Sequence, residues 1–247
     1  MARSLRLLIP GGYYHVTVRG NERRAIFRDD VDRERFLGIL GRVVEEESWK
    51  LLTYCLMPNH FHLLVLTPKA NLSGGMQRLN GTYAQWFNLR HERVGHLFQG
   101  RYGATPVDDD GQFHATVRYI VRNALRAELC RSVREWPWSS HLAVLGWVVA
   151  PRFLAVDALL AHYGTDRRSA RDRYQAAAER ADRSQLDREL PRPSQPSLTA
   201  ILEGAVGTAA IAAASAQGYS LREIARHLGV DASTVSRRLR RHATIGV

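Results

Sequence analysis

The chain has 247 residues, 45% hydrophobic and 24% charged, the balance of a protein that folds around a buried core. No apolar run approaches the roughly 18 residues of a membrane span, and no leader has an apolar centre followed by a small-residue cleavage site, so a cytoplasmic protein with no membrane partner is expected. A formal net charge of +11 and a pI near 10.3 favour a polyanionic partner, with nucleic acid the leading class. Lys50 and Lys69 are the only lysines, so the basic character is almost wholly arginine, whose planar fork suits phosphate. Cys55 and Cys130 match no metal-ligand spacing and read as reduced, buried thiols.

In chain order, Tyr13 to Arg19 (YYHVTVR) is a β-branched and aromatic strand entered through Pro10-Gly11-Gly12. Asp30 to Glu47 is a helix with Phe36, Leu37, Leu40, Val43 and Val44 at helical spacing and acids at its start. Leu51 to Met57 is a strand stopped by Pro58-Asn59, and His60 to Thr67 is a third strand ending at Pro68. Asn71 to Leu89 is helical, Arg101 to Val107 a fourth strand, and Gln112 to Leu129 a third helix. The β-α-β-β-α-β-α order predicts an α+β, ferredoxin-like split βαβ domain with an added C-terminal helix, its first and third strands adjacent at the centre. The expected division is 1–145 for this domain, 146–197 for a helical tail and charged linker ending in PRPSQP, and 198–247 for a small helical module. Residues 1–150 and 151–247 are each net basic.

Chemistry concentrates first in Pro58-Asn59-His60-Phe61-His62. A period of two puts His60 and His62 on one strand face and Phe61, Leu63 and Val65 on the other. Two imidazoles so placed can share a cation if a third ligand approaches from elsewhere; the competing reading is a pair of strand histidines with no chemical role. His15, on the neighbouring strand, is a possible neighbour of that site.

The third helix is the more informative. Phe113, Val117, Ile120, Val121 and Ala124 form one apolar stripe, whereas Tyr119 falls roughly 200° from Val117, with Arg122, Asn123 and Arg126 around it. A tyrosine outside the stripe is either a surface residue or a nucleophile. A phenol with pKa near 10 is less than ~1% ionised at neutral pH, so it needs a base or a shifted pKa, and a phosphate made electrophilic by a cation. His60 and His62 with Asn123, or with another third ligand, can hold Mg²⁺ or Mn²⁺, and imidazole suits Mn²⁺ better. Arg122 and Arg126 are candidates for positioning phosphate.

Five segments, RGNERRAIF (19–27), YCLMPNHFHLLV (54–65), GHLFQGRY (95–102), YIVRNALRA (119–127) and WPWSS (136–140), together resemble the IS200-like tyrosine transposases, nearest to the REP-associated branch. The likeness spans roughly residues 1–145. It implies a histidine–hydrophobe–histidine metal site at His60 and His62 and a catalytic tyrosine at Tyr119. Asn123 stands where relatives carry a polar residue, often taken as the third ligand or its neighbour. It also implies cleavage that leaves a 5′-phosphotyrosine and a free 3′-hydroxyl, with no ATP. The implied substrate is single-stranded DNA beside a palindromic hairpin, handled by a monomer or a homodimer. Relatives of this branch usually have proline where this chain has Ala124, a swap that relaxes the helix without removing a reacting group.

SLREIARHLGVDASTVSRRLRR (220–241) is a second signal. Ser220 with Glu223 makes a capping box, Leu221, Ile224, Ala225 and Leu228 an apolar face, Gly229 a stop, and Asp231 the cap of a second helix with Val235 and Leu239 inward. This is a helix-turn-helix pattern, and Ser233, Thr234, Ser236, Arg237, Arg238, Arg240 and Arg241 point outward as candidate contacts to duplex DNA. Two other readings stand beside strand transfer. One is a replication-initiator or relaxase-type nuclease with the same histidine motif; the other is a catalytically idle DNA-binding regulator working through the C-terminal module.

Overall fold

Alternation of side chains on two short strands organises the molecule. The computed structural model describes residues 9–180, 198–203, 207–216, 221–231 and 233–238. Strands β1 (Gly12–Arg19), β2 (Lys50–Met57), β3 (His60–Thr67) and β4 (Gly103–Val107) form a sheet in the order β2-β3-β1-β4. All three pairings are antiparallel, and β1 and β3 are the central neighbours, as expected from the chain order. Pro58 and Asn59 alone separate Met57 from its cross-strand partner His60, so a two-residue turn sets the β2–β3 register.

Tyr14, Val16 and Val18 of β1 stand opposite Val65, Leu63 and Phe61 of β3, and all six are buried. Onto this face pack α1 (Asp30–Glu46) and α2 (Leu72–Arg90). Phe36 of α1, Tyr83 of α2, Phe27 and Phe61 form a continuous aromatic cluster with ring centroids 4.6–5.5 Å apart. Helix α1 starts where Asp29 caps it, accepting from the Asp32 backbone N–H at 3.0 Å.

The opposite face receives α3 (Asp110–Val121), capped by Asp109, whose carboxylate accepts from the Gln112 N–H at 2.8 Å. One helix over 112–129 was expected here. Instead α3 begins two residues earlier, and α4 (Asn123–Arg126) follows it after a single break at Arg122, with φ −87° and ψ 2°. Bonds from Arg122 N to the Arg118 carbonyl (3.0 Å) and from Arg126 N to the Arg122 carbonyl (2.9 Å) cross the break, so the chain bends without stopping. Glu128 at φ 56° then ends the helical run, and Leu129 N returns to the Ala124 carbonyl.

Residues 138–155 cover the outer edge of β2: Leu56 N bonds the Trp138 carbonyl, and Ala155 N bonds the Leu51 carbonyl. Helices α5 (His141–Leu145), α6 (Val156–Leu160) and α7 (Arg167–Glu179) follow. His141, fully buried, sits between the Tyr174 hydroxyl (3.0 Å) and the Glu179 carboxylate (3.2 Å) of α7. The described residues 9–180 make one compact unit, and those from Leu198 onward belong to a second.

The second unit comprises α8 (Leu198–Glu203), α9 (Thr208–Ala216), α10 (Leu221–His227) and a helical turn over residues 233–238. Ile211, Ala214, Leu221, Ile224, Ala225 and Val235 make its core. Gly229 at φ 64° closes α10, and the Asp231 carboxylate accepts from Ser233 N at 2.7 Å to start the next helix. Ser220, Leu239, Arg240 and Arg241 lie outside the described residues. No described helix is long and apolar enough to cross a membrane.

Candidate active site

The central strand pair builds the site. In register, Thr17 stands opposite His62 and Arg19 opposite His60, so these four side chains share the face that also carries His15. Each of His15 and His62 is only 4% exposed. Their rings stack with centroids 5.1 Å apart, and His15 Nε2 lies 2.9 Å from His62 Nδ1. His60 is half-buried, its ring 5.0 Å from that of His62.

Helix α3 brings the tyrosine. Phe113, Val117, Ile120 and Val121 are buried, which fixes the rotation of the helix. Tyr119, half-buried, then meets the two histidines edge-on, with centroids 5.4 Å from His62 and 5.7 Å from His15. The Arg126 guanidinium lies 5.0 Å over the Tyr119 ring. Just past the break, Asn123 is 8% exposed and places Oδ1 3.3 Å from His60 Nε2. Arg122 turns the other way, donating to the Glu179 carbonyl at 3.2 Å.

These residues open on a cavity of about 410 Å³ lined by Thr17, Val18, Arg19, His60, His62, Gln99, Arg101, Gly103 and Tyr119. Gly103 leaves room for Thr17 at its wall, because an added Cβ would stand 2.6 Å from Thr17 Oγ1 and push that hydroxyl aside. Gln99 reaches the site because its N–H bonds the Arg19 carbonyl at 2.9 Å, continuing the edge of β1. Arg19, Gln99 and Arg101 were not singled out from the sequence. For Arg19 the signal was present, since it follows His15 and Thr17 in the same period-two series; for Gln99 and Arg101 nothing local gives their direction.

Burial dominates the electrostatics. It holds His15 down to about 4. Burial, reinforced by Arg19, holds His60 down to about 4 as well. His62 is pushed well below the usual histidine range, by burial first and then by its histidine neighbours. All three imidazoles are therefore neutral near pH 7 and carry a lone pair each, the form that ligates metals. His62 Nε2 is buried with no hydrogen-bond partner among the described residues, a deficit that a cation would satisfy. Among the described residues no group of three or more His, Cys, Asp or Glu side chains is arranged to hold a metal ion. A site here would use two imidazoles and a neutral third donor, and Asn123 is the residue facing His60.

A family profile described as "Transposase IS200 like" matches residues 9–123, and one described as "Helix-turn-helix domain" matches 209–242. A Haemophilus influenzae protein carrying the name REP-associated tyrosine transposase is 24% identical over 151 residues, covering 57% of this chain and 85% of the relative. A solved structure of a REP-associated tyrosine transposase bound to a REP hairpin superposes with a TM-score of 0.52 at 18% identity. It covers 61% of this chain and 89% of the other, which establishes a shared fold. Residues 9–123 thus match the IS200-like transposases and residues 209–242 a helix-turn-helix domain, and the chain is similar to REP-associated tyrosine transposases.

Proposed function

We propose that this chain cuts and rejoins single-stranded DNA beside a hairpin, with Tyr119 as the nucleophile. The observation that carries the reading is the packing of Tyr119 against His62 and His15, in the cavity that His60 also lines. A hairpin is proposed by analogy with the structurally similar protein solved bound to one. In this reading residues 1–145 carry the chemistry, α6 and α7 of the expected 146–197 segment pack with that same unit, and 198–247 hold duplex DNA.

His60, His62 and Asn123 are the residues that would hold a divalent cation, Mn²⁺ or Mg²⁺. That cation would make the scissile phosphorus more electrophilic and offset charge on its oxygens. The Tyr119 oxygen attacks phosphorus as the bond to the 3′ oxygen breaks, leaving a 5′-phosphotyrosine. The proton given up by the phenol is matched by one gained at the departing 3′-hydroxyl. Attack of a 3′-hydroxyl on the phosphotyrosine reverses the exchange and restores the phenol, so the number of phosphodiester bonds is conserved and no nucleotide triphosphate is consumed. Arg19 and Arg101, which line the cavity and carry no ion pair among the described residues, suit the phosphate. Arg126 sits over the nucleophile's ring, which makes it the helix arginine assigned to the DNA, and Arg122 points toward α7. In the C-terminal module Ser233, Arg237 and Arg238 are exposed and Thr234 and Ser236 partly so, which suits contacts to duplex backbone.

The test is a single-stranded, hairpin-bearing oligonucleotide labelled at its 3′ end, incubated with the full chain and Mn²⁺. A denaturant-resistant adduct is expected, lost in Tyr119→Phe with DNA binding retained. An undiminished adduct in that variant overturns the assignment.

A further inference from the structure

The residue before the first histidine is held more firmly than a turn position requires. Asn59 takes part in three hydrogen bonds that tie together β3, the loop after β1 and the site. Its carbonyl accepts from Gly20 N at 2.8 Å. Its side-chain Nδ2 donates to the Arg23 carbonyl at 2.9 Å, and its Oδ1 lies 2.7 Å from His60 Nδ1. Beside it, the Pro58 carbonyl accepts from both Ile26 N and Phe27 N. The loop it grips is itself unusual: Glu22 and Arg23 have φ of 53° and 59°. A Cβ on Gly20 would stand 2.2 Å from the Arg24 carbonyl oxygen, so the loop closes this tightly only with glycine there.

The Arg23 carbonyl can only accept, so the Asn59 amide has one workable orientation, NH₂ toward Arg23 and Oδ1 toward His60. An amide oxygen also can only accept. His60 Nδ1 must therefore carry the proton and donate it to Asn59. The remaining ring nitrogen, Nε2, is then bare and faces Asn123 Oδ1 at 3.3 Å. Two lone-pair atoms face each other, an arrangement that a shared cation satisfies.

We infer that Asn59 is a positioning residue of the active site: by accepting from Nδ1–H it fixes the tautomer of His60 and aims the Nε2 lone pair toward Asn123. The inference rests on His60 as a metal ligand, as proposed above, and extends that role to the residue beside it. The chemistry predicts a separation of two duties, because Asn59→Asp keeps an acceptor for His60 but loses the donor to Arg23, and Asn59→Ala loses both.

Two measurements on the full chain test it. The first is Mn²⁺ affinity by calorimetry. Asn59→Ala is expected to weaken binding ten- to hundredfold, about the usual cost of losing a partner that orients a metal-ligating histidine. Asn59→Asp is expected to return it to within about threefold of the parent. An Asn59→Ala protein that binds Mn²⁺ as tightly as the parent, or an Asn59→Asp protein as weak as Asn59→Ala, overturns the inference and leaves Asn59 a tether for the loop. The second is the ring-nitrogen spectrum of ¹⁵N-histidine-labelled protein without metal, which reads the tautomer directly. His60, assigned by its loss in His60→Ala, is expected as the Nδ1–H form in the parent and in Asn59→Asp, and as a mixture in Asn59→Ala. An Nε2–H form in the parent overturns it. If His60→Ala leaves Mn²⁺ binding unchanged, the metal reading fails, and the nitrogen spectrum still decides the role of Asn59.

Discussion

The two faces of one strand pair make opposite use of burial. On one face Phe61, with Val16, Val18 and Leu63, is dry and packed beneath the aromatic cluster of α1 and α2. On the other, His62 is almost equally buried, yet its Nε2 has no partner among the described residues. Apolar burial stabilises in proportion to the area removed from water, whereas a buried polar atom left unpaired costs about 1–3 kcal/mol. Adjacent residues of β3 thus serve stability and, in the proposed reading, chemistry, the second supported by the first.

The sharpest way to break this contrast is to truncate both neighbours. Phe61→Ala is expected to cost about 3–5 kcal/mol of unfolding free energy. His62→Ala is expected to cost less than half of that while abolishing metal-dependent adduct formation. Urea unfolding of both proteins checks it, and equal losses would mean the polar face is structural after all. A smaller effect is expected at the rim of the cavity. Arg19→Ala and Arg101→Ala should each flatten the salt dependence of single-strand binding by about 0.7 in log–log slope, the amount for one lost phosphate contact. Filter binding over a salt series measures this, and unchanged slopes would remove these arginines from the phosphate path.

Further along the same polar side, the Thr53 hydroxyl meets that of Ser140 at 2.8 Å and leads to the buried His141. Burial, the largest influence, holds the His141 pKa below the ordinary histidine value of 6.5, against the opposing pull of Glu179. The folded state therefore takes up this proton later than the unfolded chain does. Its effect on stability is absent well above pH 6.5 and becomes a loss as pH falls below that value. Thermal unfolding of His141→Asn should accordingly show a shallower decline between pH 7.5 and 5.5 than the parent; an identical slope would place the acid sensitivity elsewhere. The smallest effect is expected in the second unit, where Arg237→Ala should lower the duplex-binding salt slope by about 0.9 and leave single-strand cleavage untouched. A change in cleavage would show that the two units do not divide the DNA between them.

Much of this contrast was legible in the residues. Period-two alternation located β3 over His60–Thr67 and put both histidines on one face, because a strand's geometry is local. The helical wheel separated Tyr119 from the apolar stripe for the same reason. It could not say what Tyr119 faces, which depends on how α3 crosses β1 and β3. The break at Arg122 escaped because no proline or glycine marks it. The partnership of His15 with His62 and the arrival of Gln99 and Arg101 depend on strand register and on a loop closing over the end of β1. Both are long-range events. Gly229 and Asp231 were readable in advance, since a stop and a cap act on their immediate neighbours.

The two-residue connection between Met57 and His60 carries a consequence for how this sequence can vary. Side chains on a strand are sorted by parity, so changing that connection by one residue while the outer pairing held would invert β3. His60 and His62 would pass under the aromatic helices, and Phe61 would be delivered to the cavity beside Tyr119. Substitutions degrade such a site by degrees, but an odd change of length exchanges its inside for its outside in one step. Lineages of this protein should therefore tolerate drift in the identity of the turn residues far better than any drift in their number.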